Sequence, residues 1–522
     1  MHTDEAVHAK KFGDLLEAGE YEYKPHEYHG PTLNYFTLIP SLLSGAKTYT
    51  EITEVTVRLV PVVFSVVLIL LTVFLVKGLG AATIPIALLA AVSPAFFFYS
   101  RYYIQEMLLV CFTFGAIVCG YRYARTKGLS WMLAAGVFVG LMHATKETCI
   151  IALGSMGLAW GLVVLLGLRG GRSVRDTLRG VRPAHVLAGV LAALGLSALF
   201  YSSFFSHPRG ILDSYLTYGT YLGRAGGHDT THIHPWYYYL KMVLFAKYAN
   251  GPIWTEGWIV LLALVGMGAA VRGKRIGRID PILVRFLAFY TVFMVIIYSA
   301  LPYKTPWCLL GFLHGMILLA GVGVAALVIW LRHPVARIAA VMLLVAAGVH
   351  LGYQAYQGSF VYQADSRNPY VYAHPTEDIF IAVEKIIDYV GVDGLGQTAL
   401  IDVVCPGADY WPLPWYLRRY ADAVRYSSEL PPDLGPLVVV SAELENALSH
   451  RLYVETPREK IRMYMYLFDD PYYVWFRPQV KLLGFVRKDL SDHYQQRPDP
   501  DALLKEQRDT ATGQAGDAVR QQ

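Results

Sequence analysis

From residue 55 to residue 356 the chain is a succession of apolar runs separated by short loops, and most runs come close to the length of a bilayer crossing. A helix spans hydrocarbon with about 20 apolar residues and satisfies its own backbone hydrogen bonds there, so this pattern admits little besides a polytopic helical bundle. Ten spans are read, at 55–76, 80–98, 104–123, 130–145, 148–168, 185–205, 253–271, 281–300, 308–331 and 336–356. Composition agrees: 55% of the 522 residues are hydrophobic and 16% are charged.

Orientation follows from Lys and Arg. Every second loop is basic, at Lys77; Arg122, Arg125 and Lys127; Arg169, Arg172, Arg175, Arg179 and Arg182; Arg272, Lys274, Arg275 and Arg278; and Arg332 and Arg337. Such loops are predicted to be cytoplasmic. The alternate loops, 99–103, 143–147, 206–252 and 301–307, then face outward with residues 1–54 and everything after 356. No apolar helix precedes Asp4, so this reading expects a first helix to be missing, through a misassigned start or a fragment.

Four regions result. Residues 1–54 form an extracytoplasmic first loop with juxtamembrane helices, 55–356 the transmembrane bundle, 357–490 an extracytoplasmic α/β domain, and 491–522 a polar, disordered tail. The α/β expectation rests on apolar β-rich runs at 398–404 and 436–440 and helical patterns near 376–390 and 442–451. The fold class is therefore mainly α, a membrane bundle with a small appended α/β domain.

Several function classes fall away. There is no Walker loop and no GxGxxG fingerprint to hold a nucleotide. The five cysteines, Cys111, Cys119, Cys149, Cys308 and Cys405, show neither a paired framework nor metal-type spacing. The net charge of +5 reflects arginines that anchor cytoplasmic loops, which gives no argument for nucleic acid.

The outward loops carry the chemistry. Three of them hold lone cations, Arg101, Lys146 and Lys304, and charges near a bilayer are costly enough to be paired or functional. One such cation also fits headgroup snorkelling, whereas three on one face suit a shared phosphate site. Glu106 and Glu147 can pair with these cations or touch substrate hydroxyls. The first outer segment opens with Asp4-Glu5, and a carboxylate here can deprotonate a sugar or protein hydroxyl. Alone, the pair also reads as a solvated helix start with Asp4 as a cap. His228, Asp229, His232 and His234 have a spacing that admits a divalent ion and equally surface or substrate-facing histidines, so no metal ligand is assigned. His29, His143, His234 and Trp411 complete the candidate substrate contacts, with Trp411, Trp415 and Tyr416 read either as an aromatic lip or as core.

The chain resembles the GT-C glycosyltransferase superfamily. The resemblance rests on Asp4-Glu5 at the head of a long outer loop, on Ser100-Arg101 followed by Glu106, and on Ala144-Thr145-Lys146. It is similar to the branch of protein O-mannosyltransferases and lipid A aminoarabinose transferase. It is most similar to a prokaryotic family labelled flippase-activity-associated, through Asp4–Ala9, Tyr28–Pro31, Tyr303–Trp307 and Trp411–Arg418. The resemblance implies a polyprenyl-phosphate sugar as donor, inversion at the sugar carbon, Asp4 as general base toward an extracytoplasmic glycan, lipid or protein acceptor, and Arg101 and Lys146 on the leaving phosphate. It implies no nucleotide cofactor. A lipid-linked-sugar transporter or flippase partner is the competing class, since it needs the cations and not the base; a solute carrier is disfavoured by the folded outer domain.

Overall fold

The computed structural model describes residues 1–25, 29–170, 173, 180–225, 232–272, 276–390, 400–478 and 480–496. Tyr28, His228, Asp229, the loop cations Arg172, Arg175, Arg179, Lys274 and Arg275, and residues 497–522 of the expected tail lie outside these. The chain divides into two compact units, Met1–His374 and Pro375–Gln522.

The first unit is helical. Helix α1 (Thr3–Ala18) and helix α2 (Thr32–Ser44) precede α3 (Glu54–Leu71), which starts where the Thr53 hydroxyl accepts the Thr56 N–H at 3.2 Å. Seven described helical stretches are long and apolar enough to cross a membrane, and Leu129–His143 and Gly257–Arg272 are shorter apolar helices. The first long stretch, Glu54–Val92, has 39 residues. A straight helix of that length would measure about 58 Å against a hydrocarbon core of about 30 Å. It breaks at Gly80, whose φ of 55° with ψ of −133° suits only glycine, and its two arms touch each other. The remaining apolar helices follow the other eight apolar runs of the sequence, and the protein is a multi-pass membrane protein.

Glu106–Thr126 and Pro306–Trp330 are the most enclosed helices and form the centre of the bundle. Gly266 and Gly323 let Gly257–Arg272 lie backbone to backbone on Leu310–Trp330: a Cβ on Gly266 would meet Leu319 O at 2.1 Å, and one on Gly323 would meet Leu262 O at 2.0 Å.

Residues 357–374, read from composition as the start of the outer domain, pack with the helices instead. Three buried anchors hold this strap. Asn368 donates to Gly358 O and Tyr362 O at 2.9 and 3.0 Å, Trp254 Nε1 donates to Arg367 O at 2.9 Å, and the Tyr370 hydroxyl donates to Glu256 at 3.0 Å.

The second unit is an α/β domain. Its six-stranded sheet runs β2 (Val424–Ser427), β1 (Ile401–Val404), β3 (Leu437–Ser441), β6 (Val480–Arg487), with β4 (Tyr464–Tyr466) and β5 (Tyr473–Arg477) sharing the far edge of β6. β1 is parallel to β2 and β3, and β3 and β6 are antiparallel. The helix Asp378–Tyr389 covers one face through Ile379, Ala382 and Ile386, where Leu413 and Leu417 also pack.

Candidate active site

The site is built on the first turn of α1. His2 is its N-cap: its Nδ1 accepts the Asp4 N–H at 3.0 Å while Glu5 accepts the His2 N–H at 3.0 Å. Glu5, expected to bind substrate, has its oxygens taken within the protein. Arg58 donates Nε and a terminal nitrogen to them at 2.7 Å each, and the Tyr103 N–H adds a third bond at 3.0 Å. Burial works against its ionisation, and Arg58 overcomes this and holds the carboxyl well below the usual range. Glu5 therefore locks α1 to α3 and to the 100–105 segment.

Asp4 is different. It is half-buried, and among the described residues its carboxylate makes no hydrogen bond. Burial pushes its pKa up, and His29, Lys146 and His232 pull back against that shift.

Two of those groups come from segments docked on each other. Thr32 N donates to Ala144 O at 3.2 Å, and the Thr32 and Thr145 hydroxyls are 2.8 Å apart. Gly30 permits this approach, because a Cβ there would stand 2.2 Å from Ala144 O. The docking brings His29 Nδ1 to 2.8 Å from Glu147, whose other oxygen accepts from the Tyr23 hydroxyl at 3.2 Å. The Tyr221 hydroxyl also lies 2.8 Å from His29 Nδ1. Burial disfavours the Glu147 charge, yet His29 lowers its pKa on balance.

Lys146 and Glu106 form a buried ion pair. Burial alone would lower the lysine pKa, and Glu106 reverses this and raises it. Among the described residues, the second oxygen of Glu106 is buried without a partner. Glu106 lines a small pocket together with Thr148, Tyr290, Tyr298, Trp307 and Cys308. Lys304 is buried as well, and its ammonium donates to the carbonyls of Leu301 and, at 3.1 Å, His234, while its backbone N–H donates to His232 O at 2.9 Å. Lys146 is thus paired with a carboxylate, whereas the Lys304 ammonium is held by carbonyls, and burial lowers its pKa.

Other expected contacts sit elsewhere. Arg101 donates to Ser359 O at 2.8 Å and stacks its guanidinium on Phe360 at 4.5 Å, so it braces the strap and is not gathered with Lys146 around Asp4. His143 is held by the Ser197 hydroxyl at 2.7 Å and packs against Tyr201 and Tyr215. His234 stacks on Tyr238 at 4.2 Å, and its Nε2 is buried without a partner among the described residues. Trp411 lies half-buried in the second unit, where Trp415 is fully buried beneath Arg418. No group of three or more His, Cys, Asp or Glu is placed to hold a metal among the described residues.

Sequence reasoning missed His2, His8, Arg58, Tyr372 and His374. The His8 ring lies 3.4 Å from Gln105 Nε2, and burial pushes its pKa down to about 3. The Tyr372 hydroxyl bonds His232 Nδ1, and His374 stacks on Tyr102 at 5.4 Å.

The comparisons bear on this arrangement. Residues 32–210 match the family described as dolichyl-phosphate-mannose-protein mannosyltransferase. ArnT from Cupriavidus metallidurans bound to undecaprenyl phosphate superposes with a TM-score of 0.56 at 14% identity, over 92% of this chain and 93% of that one. The oligosaccharyltransferase AglB from Archaeoglobus fulgidus, in complex with an inhibitory peptide and a dolichol-phosphate, superposes with a TM-score of 0.51 at 12% identity, over 92% of this chain and 70% of that one. The chain has the GT-C glycosyltransferase fold. No curated protein sequence matches it significantly. At the head of the first helix, the Tyr103 N–H donates to Glu5 and the His2 ring lies 6.0 Å from that of Trp307.

Proposed function

We propose that this protein is a glycosyltransferase of the cell's inner membrane that moves a sugar from a polyprenyl-phosphate carrier to an extracytoplasmic acceptor, with Asp4 as general base and inversion at the anomeric carbon. The observation that carries the reading is Asp4 itself. It is a half-buried carboxylate with no partner among the described residues, a raised pKa, and Lys146, His29 and His232 in its field, inside a GT-C fold. A carboxylate that serves only structure is consumed by partners, as Glu5 is.

Asp4 removes the acceptor proton as the hydroxyl oxygen bonds the anomeric carbon. The bond from that carbon to the phosphate oxygen breaks on the opposite face, and its electron pair leaves with the lipid phosphate. Lys304, whose ammonium is held by neutral carbonyls, and Lys146 stabilise the anion that develops. That ArnT was crystallised with undecaprenyl phosphate and AglB with dolichol-phosphate supports a carrier of this class.

The test is a deletion strain complemented with variants, read by mass spectrometry of glycans and lipid-linked sugars, together with undecaprenyl phosphate binding by the purified protein. Asp4→Asn is expected to bind the lipid normally and to lose product on the order of a hundredfold. Wild-type product from Asp4→Asn would remove the base and leave a lipid-phosphate binder.

A further inference from the structure

A helix N-cap is ordinarily Ser, Thr, Asp or Asn, whose short side chains reach the second or third N–H of the helix. The helix carrying Asp4 is capped by His2. The ring is needed for a second bond. His2 Nδ1 accepts the backbone N–H of Asp4, and Nε2, on the far side of the same ring, bonds the carbonyl of Tyr372. Because a carbonyl only accepts and an N–H only donates, these two bonds require the neutral Nε2–H tautomer.

Tyr372 is fixed from behind. The strap that carries it is pinned by Asn368, Arg367 and Tyr370, and the Tyr370 carbonyl also accepts the Tyr99 hydroxyl at 2.9 Å. Ala373 adopts a left-handed φ of 52°, and the turn lets the Tyr372 N–H reach His374 Nδ1 at 3.0 Å. The His2 ring sits within an aromatic frame, 4.7 Å from His374, 5.0 Å from Tyr102 and 6.0 Å from Trp307 between centroids. One imidazole therefore ties the backbone of Asp4 to a strap at the other end of the helical unit's sequence.

We propose that His2 is a positioning residue for Asp4: it sets the height and direction of the carboxylate by holding the start of its helix against the 357–374 strap. This rests on the reading of Asp4 as the base. A misplacement of about 1 Å costs roughly a hundredfold in a reaction that depends on alignment, so such a residue affects transfer far more than binding.

Two variants separate the ring's two bonds. His2→Asn places an acceptor where Nδ1 was and keeps the cap; His2→Gln places an N–H where Nε2 was and loses the cap. In the complemented deletion strain, His2→Ala is expected to lower product about tenfold or more. Purified His2→Ala should bind undecaprenyl phosphate within about twofold of wild type, since the residue acts on alignment. Neither His2→Asn, which keeps the cap without the strap bond, nor His2→Gln, which keeps the strap bond without the cap, should recover more than a small part of the product. Wild-type product from His2→Ala, full product from His2→Asn or from His2→Gln alone, or lipid binding lost in step with product would each overturn the proposal. If His2→Ala fails to fold, the Asn and Gln variants decide alone. Asp4→Asn runs alongside: if it transfers normally, the base reading fails and this proposal with it, whereas an inactive Asp4→Asn beside an active His2→Ala defeats the positioning role only.

Discussion

Asp4 and Glu5 are adjacent carboxylates on one helical turn with opposite fates, and the difference lies in what surrounds them. Arg58 and the Tyr103 N–H stabilise the charge on Glu5, while Asp4 meets burial without a bonded cation. The sign of the consequence can be worked out. A carboxyl whose folded pKa lies above its unfolded value favours the fold when neutral, so the contribution of Asp4 to stability is largest below the unfolded value and declines as pH rises from the ordinary Asp range through the raised folded value. Activity runs the other way, because a base must be ionised. Transfer should therefore switch on with an apparent pKa above that of an ordinary Asp, and Asp4→Asn should raise the melting temperature while abolishing transfer. A lowered melting temperature at neutral pH would show that the charge is stabilised by contacts other than those seen. Arg101 gives the contrasting expectation. Arg101→Ala removes a charged hydrogen bond and a ring contact, worth about 1–3 kcal/mol of stability, and should leave undecaprenyl phosphate binding unchanged. Weakened binding in a stably folded Arg101→Ala protein would restore it to the phosphate site.

At the level of elements, the segments 29–32 and 144–147 act as one piece. Gly30→Ala drives a methyl into a backbone carbonyl that cannot move without carrying Lys146 and Glu147 with it. Loss of both lipid binding and product is expected, and a Gly30→Ala protein with wild-type binding would show that the docking does not place Lys146. The Tyr-His-Gly-Pro and Ala-Thr-Lys-Glu strings were legible as motifs, but their pairing was not, because nothing in a sequence reports that a missing Cβ in one loop faces a carbonyl in another. Arg58 was hidden for a different reason: it falls in the apolar run 55–76, where hydropathy averages over one charge. The strap was misassigned because a tyrosine-rich segment lying on a helical unit has the composition of a soluble domain. The helices themselves were readable, since apolar length and loop charge are local properties.

For the whole molecule, the arrangement of charge along the chain makes a topological claim that chemistry at Asp4 depends on. The loops that carry Arg101, Lys146 and Lys304 alternate with the basic loops at Lys77, Arg122–Lys127 and Arg332–Arg337, so the charge pattern predicts that the two sets lie on opposite sides of the membrane. The second unit follows the last apolar helix and the strap in the sequence, and the strap carries Tyr372 to the Asp4 end of the first unit. If the basic loops are cytoplasmic, acceptor, base and second unit all share the extracytoplasmic compartment. Single cysteines at exposed positions in an otherwise cysteine-free protein test this with a membrane-impermeant maleimide. Ser449→Cys in the second unit should label on intact cells, and Ser130→Cys, beside the Arg122–Lys127 loop, should label only after lysis. The reverse pattern would put the reaction on the cytoplasmic side, where soluble nucleotide sugars are available and a lipid-linked donor loses its rationale; labelling of both positions on intact cells would break the alternation on which the orientation rests.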